Sequence, residues 1–364
     1  MLLKQTFALA AILTLGGTAA NGSIAYTCDP NVATSTCAYL NTTVAGLYSS
    51  TFTDANASIY IKYGTTGLAS TSAYLNAVPY ADYLAALQAN PTKDALQFSS
   101  LASLTNATSA YGSGNVGITI ALAQALGISG DALNGGLVGT TASGAACTPG
   151  TSGCYNAVIT VTNDSGTPLY YDNLGGTEPA DAYDYYATVE HETDEVLGTS
   201  SCIGTQSGGV LTDGCDFFGG TGTPSAVDLY RYNSAGNLAI NANYLGLGSA
   251  PAGAYFSFDG GVTNGANGKG GSPKFYNTLA NGDDYADFVA SSPDCGTNQA
   301  VQDATGCPGE DKGLSLFNDG KGEINILNAV GYDLQPTATP EPATIALFGI
   351  GLGGLAVYRR RRRA

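Results

Sequence analysis

The chain has 364 residues, 44% of them hydrophobic, and a formal net charge of −16 from 13 Lys and Arg against 29 Asp and Glu. An acidic surface of that kind repels nucleic acid and anionic membranes, and apart from arginines 359–363 no basic patch exists to argue for DNA or RNA. A single histidine, His191, and the absence of any G-x-S-x-G stretch remove a serine-hydrolase triad from consideration.

Residues 1–20 (MLLKQTFALAAILTLGGTAA) combine one lysine, an apolar run and small residues, the pattern of a secretory signal peptide cleaved after Ala20. The body, residues 21–335, is long for one domain but within range, and it shows no internal repeat or linker. Residues 57–64 (ASIYIKYG) alternate with period two and predict a strand; residues 78–89 carry apolar groups at helical spacing. Residues 116–128 predict a strand passing into a helix, and 156–164 a strand with Val158, Thr160 and Thr162 on one side and Ile159 and Val161 on the other. Residues 178–198 (EPADAYDYYATVEHETDEVLG) predict one helix closed by Gly198. Gly-rich stretches at 204–222 and 259–273 predict surface loops, with short strands at 227–233 and 254–261. The acidic run 281–288 (NGDDYADF) offers carboxylates that could bind Ca²⁺, with a solvated loop as the preferred reading, and 318–324 reads as a Gly-rich turn without the residue order of a calcium loop. A final amphipathic helix is predicted over 323–334, with Ile324, Leu327 and Val330 sharing a face. Mixed strands and helices with a loop-rich C-terminal half give an α+β class.

Eight cysteines fit an exported protein in an oxidising compartment. They fall in four local pairs: Cys28 with Cys37, Cys147 with Cys154, Cys202 with Cys215, and Cys295 with Cys307. Short loops close at the least entropic cost, so local bonding is expected. No C-x-x-C spacing supports a metal cluster.

The stretch His191-Glu192-Thr193-Asp194-Glu195 sits in the helix predicted over 178–198. Residues i and i+4 share a helix face, so His191 and Glu195 reach a common point, with Glu192 beside them. The plain alternative is a solvated acidic face made of Glu190, Glu192, Asp194 and Glu195. The stretch resembles the active-site helix of the metzincin zinc proteases, H-E-x-x-H-x-x-G-x-x-H, with His191, Glu192 and Gly198 matching and Glu195 and Ser201 departing. The segments DLYRY, AYFSFDGG and NAVGYDL are similar to parts of secreted bacterial metalloprotease-like proteins, and the resemblance extends over most of residues 50–335. It implies a zincin-like mixed sheet, a metal held by His191 and Glu195, and Glu192 as general base. The metal is zinc or another divalent cation. A third ligand must be an oxygen or a thiolate; Asp213, Asp216 and Asp228 are candidates, and Asp228 opens the DLYRY segment. Carboxylate ligands acidify bound water less than histidines and shift preference toward Mn²⁺, Ca²⁺ or Mg²⁺. The methionine turn of metzincins is missing, since Met1 is the only methionine.

The chain ends in Pro340-Glu341-Pro342, an apolar stretch from Ala343 to Tyr358, and arginines 359–363. This order resembles the PEP-CTERM sorting signal of Gram-negative bacteria, over residues 336–364. The resemblance implies recognition by a membrane-embedded exosortase, removal of the tail, and release or surface attachment near an exopolysaccharide matrix. Contact with the membrane is then confined to the tail before processing. Two readings of the body stay open: an exported metalloendopeptidase-like domain with an altered metal site, and a non-catalytic matrix, biofilm or adhesion protein.

Overall fold

The computed structural model describes residues 22–106, 114–129, 136–171, 179–206, 210–213, 223–239, 254–263, 284–288, 300–304, 306–309 and 322–336. The expected signal peptide, the sorting tail and most of 318–324 lie outside these residues. Strand β1 (Ile24–Cys28) leads through helix α1 (Thr34–Tyr39), a π turn (Leu40–Val44) and α2 (Ala45–Thr51) into β2 (Ala57–Gly64). Strand β3 (Ala69–Ala73) follows, then β4 (Asn76–Pro79), α3 (Tyr80–Ala89), α4 (Ala95–Asn106), β5 (Asn115–Ile118) and α5 (Ile120–Ala125). Strand β6 (Ala157–Thr162), helix α6 (Tyr185–Asp194), strand β7 (Arg231–Ser234) and helix α7 (Gly322–Val330) complete the main elements.

The sheet that positions the site has the order β1-β2-β6-β3. The first three strands are parallel and β3 runs antiparallel against β6. The class is thus α+β with a mixed sheet. Alternation in β2 buries Ala57, Ile59 and Ile61 on one face, as its period-two pattern predicts. In β6 both faces are covered: Val158, Ile159, Val161 and Thr162 are all buried, so the two-sided pattern read from the sequence does not mark a solvent face. The strand-to-helix passage near 116–128 is real, and Thr119 caps α5 by accepting from the Leu122 N–H at 3.2 Å.

Three boundaries differ from expectation. The helix expected from 178 begins at Tyr185, because the Asp184 carboxylate accepts from the N–H groups of Tyr186 and Ala187 at 2.9 and 3.0 Å and fixes the first turn there. Residues 227–230 form a 3₁₀ turn ahead of β7 rather than strand. The last helix stops at Val330, where Gly331 takes φ 138°, and its polar residues Glu323 and Asn328 are as buried as its apolar ones.

Disulfides close Cys28 to Cys37 and Cys147 to Cys154, as the spacing predicts. Cys202 and Cys307 are also disulfide-bonded; Cys215 and Cys295 fall outside the described residues.

The two ends of the body meet. Thr53 N–H donates to the Asp333 carbonyl at 2.8 Å, and Asp333 N–H donates to the Asp54 carboxylate at 2.9 Å. Burial pushes the Asp54 carboxyl up to about 7, with the nearby Asp333 charge adding to the shift. The folded state therefore holds this proton more tightly than the unfolded chain. Stability falls as pH rises from the unfolded carboxyl value, near 4, through 7. Asp54→Asn keeps an acceptor for Asp333 N–H and removes the buried charge. We expect it to stabilise the protein at pH 8 by roughly 2 kcal/mol, less than the full linkage value because the group is partly solvated. No gain is expected at pH 4. Urea unfolding at the two pH values measures this; an equal effect at both would refute the assignment.

Candidate metal centre

Helix α6 packs against β3 and β6, and side chains from elsewhere fasten it. Tyr26 O–H pairs with Thr193 Oγ1 at 2.9 Å. Tyr48 O–H donates to Asp194 Oδ1 at 2.8 Å. Tyr332 O–H donates to the Leu197 carbonyl at 2.9 Å, just past the helix. The face expected as a solvated alternative is not at the surface: Glu190 and Asp194 are fully buried and Glu192 is 6% exposed. An acidic helix enclosed in this way needs compensation from cations or hydrogen bonds.

The compensation converges on His191. Its Nδ1 lies 2.9 Å from the Val301 carbonyl oxygen. A carbonyl only accepts, so Nδ1 carries a proton, and Nε2 points the other way, toward the carboxylates. Nε2 is 3.5 Å from Asp287 Oδ1 and 3.9 Å from Glu195 Oε1. One ligand atom from each of the three residues lies within 4.8 Å of the others. A tetrahedral cation with bonds near 2.1 Å spaces its ligand atoms about 3.4 Å apart. The His191–Asp287 spacing fits that requirement, and Glu195 Oε1 stands slightly farther from Nε2.

Glu192 stands beside the cluster. Thr71 Oγ1, on β3, donates to Glu192 Oε2 at 2.6 Å. Burial, then the charges of Glu192, Asp284 and Asp287, hold the Glu195 carboxyl well above its ordinary range. Burial likewise pushes Asp287 up to about 6, with His191 pulling in the opposite direction.

The structure brings His191, Glu192 and Glu195 together, and places Asp228 elsewhere. Gly198, at φ 122°, turns the chain out of the helix where a Cβ would lie 3.4 Å from Leu122. The turn delivers Ser201, but not as a ligand. Ser201 N–H donates to Asp284 Oδ1 at 2.9 Å, and its hydroxyl donates to Asp228 Oδ1 at 2.5 Å. Asp228 also accepts from the N–H groups of Cys202 and Ser225 at 2.8 and 2.9 Å and from the Ser225 hydroxyl at 2.9 Å. With one bond to Oδ1 and three to Oδ2, Asp228 braces the loops and lies outside the cluster of His191, Glu195 and Asp287. The side chain of Asp213 and the whole of Asp216 lie outside what the structure describes.

Asp287 is a ligand candidate that the sequence did not single out, although its run was weighed as a Ca²⁺ binder. It belongs to the run 281–288, expected as a solvated loop, yet it is 4% exposed. No signal in the sequence of that run marks which of its carboxylates turns inward. Asp284 accepts from Ala286 N–H at 2.7 Å, a tight turn that throws Asp287 inward.

Among the described residues no helix is long and apolar enough to cross a membrane. Comparison with known families finds a PEP-CTERM protein-sorting motif at residues 338–363. No curated protein and no solved structure matches the chain. The matched segment contains Pro340, Glu341, Pro342, the apolar stretch and the arginines. Residues 338–363 thus carry a PEP-CTERM sorting motif, which supports sorting by an exosortase, export across the inner membrane and a place at the surface or in the extracellular space, as in Gram-negative bacteria.

Proposed function

We propose that the exported body is a metallopeptidase-like hydrolase, with a mononuclear divalent-cation site made by His191, Glu195 and Asp287. The observation that supports it is the convergence of Nε2, Oε1 and Oδ1 within 4.8 Å, with the imidazole tautomer fixed by Val301. A cation there would polarise a carbonyl and acidify water. The chain's own groups supply the rest. Glu192, oriented by Thr71, accepts a proton from attacking water and returns it to the leaving amine. Strand β3 is the edge of its sheet among the described residues and carries Thr71 beside Glu192, so an extended peptide pairing along it passes the site. The similarity to metzincins at His191, Glu192 and Gly198 and the mixed sheet under α6 agree with this reading.

The test has two parts on the exported protein. Calorimetric titration with Zn²⁺ and Mn²⁺ should show one site per chain, lost in His191→Ala. Incubation with unstructured peptides should give cleavage products by mass spectrometry, abolished by chelator and by Glu192→Gln. Absence of cation binding at millimolar metal would sink the site. Binding without cleavage would leave a metal-stabilised matrix or adhesion protein.

A further inference from the structure

The side chain of Gln302 lies directly against the cluster and is fully buried. Its Nε2 donates to Asp287 Oδ1 at 3.1 Å and lies 3.5 Å from His191 Nε2. The amide nitrogen thus covers the two lone pairs that a cation at this site would need. Its other end is poorly served: Gln302 Oε1 is buried and has no hydrogen-bond partner among the described residues. An oxygen left in that state carries a desolvation cost without return. The backbone is held on both sides. Gln302 N–H donates to the buried Glu323 carboxylate at 3.1 Å, and its carbonyl accepts from Phe288 N–H at 2.8 Å. Only the side-chain amide is left to turn.

We propose that Gln302 is a fourth, neutral ligand of the cation, its amide turning over on binding so that Oε1 replaces Nε2 at the centre. This inference rests on the His191, Glu195 and Asp287 site proposed above. A cation taking the lone pairs of His191 and Asp287 removes both acceptors from the amide nitrogen and sets its N–H groups against positive charge. A half-turn about the last side-chain bond exchanges groups of nearly equal size and brings the unsatisfied oxygen to the metal. A neutral amide also adds no further negative charge to a centre that already holds the Glu195 and Asp287 carboxylates with Glu192 beside them. The resulting set of one nitrogen and three oxygens suits Mn²⁺ better than a set of histidines does.

The probe is Mn²⁺ itself, followed on the full exported chain by calorimetry and by electron paramagnetic resonance in ¹⁷O-enriched water, which counts metal-bound waters. Gln302→Met keeps the bulk and removes the oxygen. It should bind Mn²⁺ about tenfold more weakly and gain one bound water. Gln302→Glu restores an oxygen at the same reach and should return the water count to that of the wild type. An unchanged water count in Gln302→Met, with Mn²⁺ still bound, would overturn the proposal and leave Gln302 as a brace for Asp287. Failure of the wild type to bind Mn²⁺ at all would instead strike the site proposed above, and this ligand with it.

Discussion

Asp228→Ala is expected to destabilise the protein by about 4 kcal/mol, the largest stability effect of any single carboxylate considered. The truncation removes the acceptor for four donors at once: the Ser201 and Ser225 hydroxyls and the N–H groups of Cys202 and Ser225. Asp228 is 1% exposed, so water cannot readily replace those bonds. Each buried donor left unpaired costs about 1–3 kcal/mol. Asp228→Asn keeps the volume and one acceptor oxygen but turns an N–H₂ toward existing donors, and should cost roughly half as much. The same pair of variants separates a brace from a ligand. As a brace, Asp228 leaves Mn²⁺ affinity in the folded Asp228→Asn protein near that of the wild type. A strong loss of metal binding with little loss of stability would return Asp228 to the ligand set. Urea unfolding and metal titration on the same samples decide it.

The sequence carried the helix of the site better than its surroundings. The i, i+4 relation of His191 and Glu195 is local geometry, and the structure holds their atoms 3.9 Å apart. Gly198 was legible for the same reason, since a helix ending in a left-handed residue announces itself by glycine. Asp287 was not legible. It lies 96 positions beyond His191, and nothing in a run of Asp, Gly and Tyr distinguishes an inward carboxylate from a solvated one. Ser201 and Asp228 show the opposite failure. Both stand where a metal ligand was sought, but tertiary packing uses them to bond one another. The parallel pairing of β1, β2 and β6 was likewise hidden. Long-range register is set by crossover packing rather than by any single segment. The two short disulfide loops were read correctly because proximity in sequence nearly determines them.

Glu195→His should raise Zn²⁺ affinity by about a hundredfold, the largest binding effect expected at this site. A second imidazole one turn from His191 gives a set of two histidines and Asp287, a combination that binds zinc well. The substitution also removes a carboxylate that burial and Glu192 already hold above its ordinary range, so the exchange relieves repulsion among Glu192, Asp284 and Asp287. Adding Ser201→His, which would complete the metzincin spacing on paper, should not improve binding further. Ser201 N–H and Oγ anchor Asp284 and Asp228, and a bulky ring in their place breaks the Asp228 bond and crowds the turn after Gly198. The double variant should therefore lose about 2–3 kcal/mol of stability relative to Glu195→His alone. Competition with a zinc chelator gives the affinities, and urea unfolding of the metal-free proteins gives the stabilities. Equal zinc affinity in wild type and Glu195→His would show that residue 195 does not face the cation. A further gain from Ser201→His would show that the third position lies at 201, with Asp287 displaced from the site.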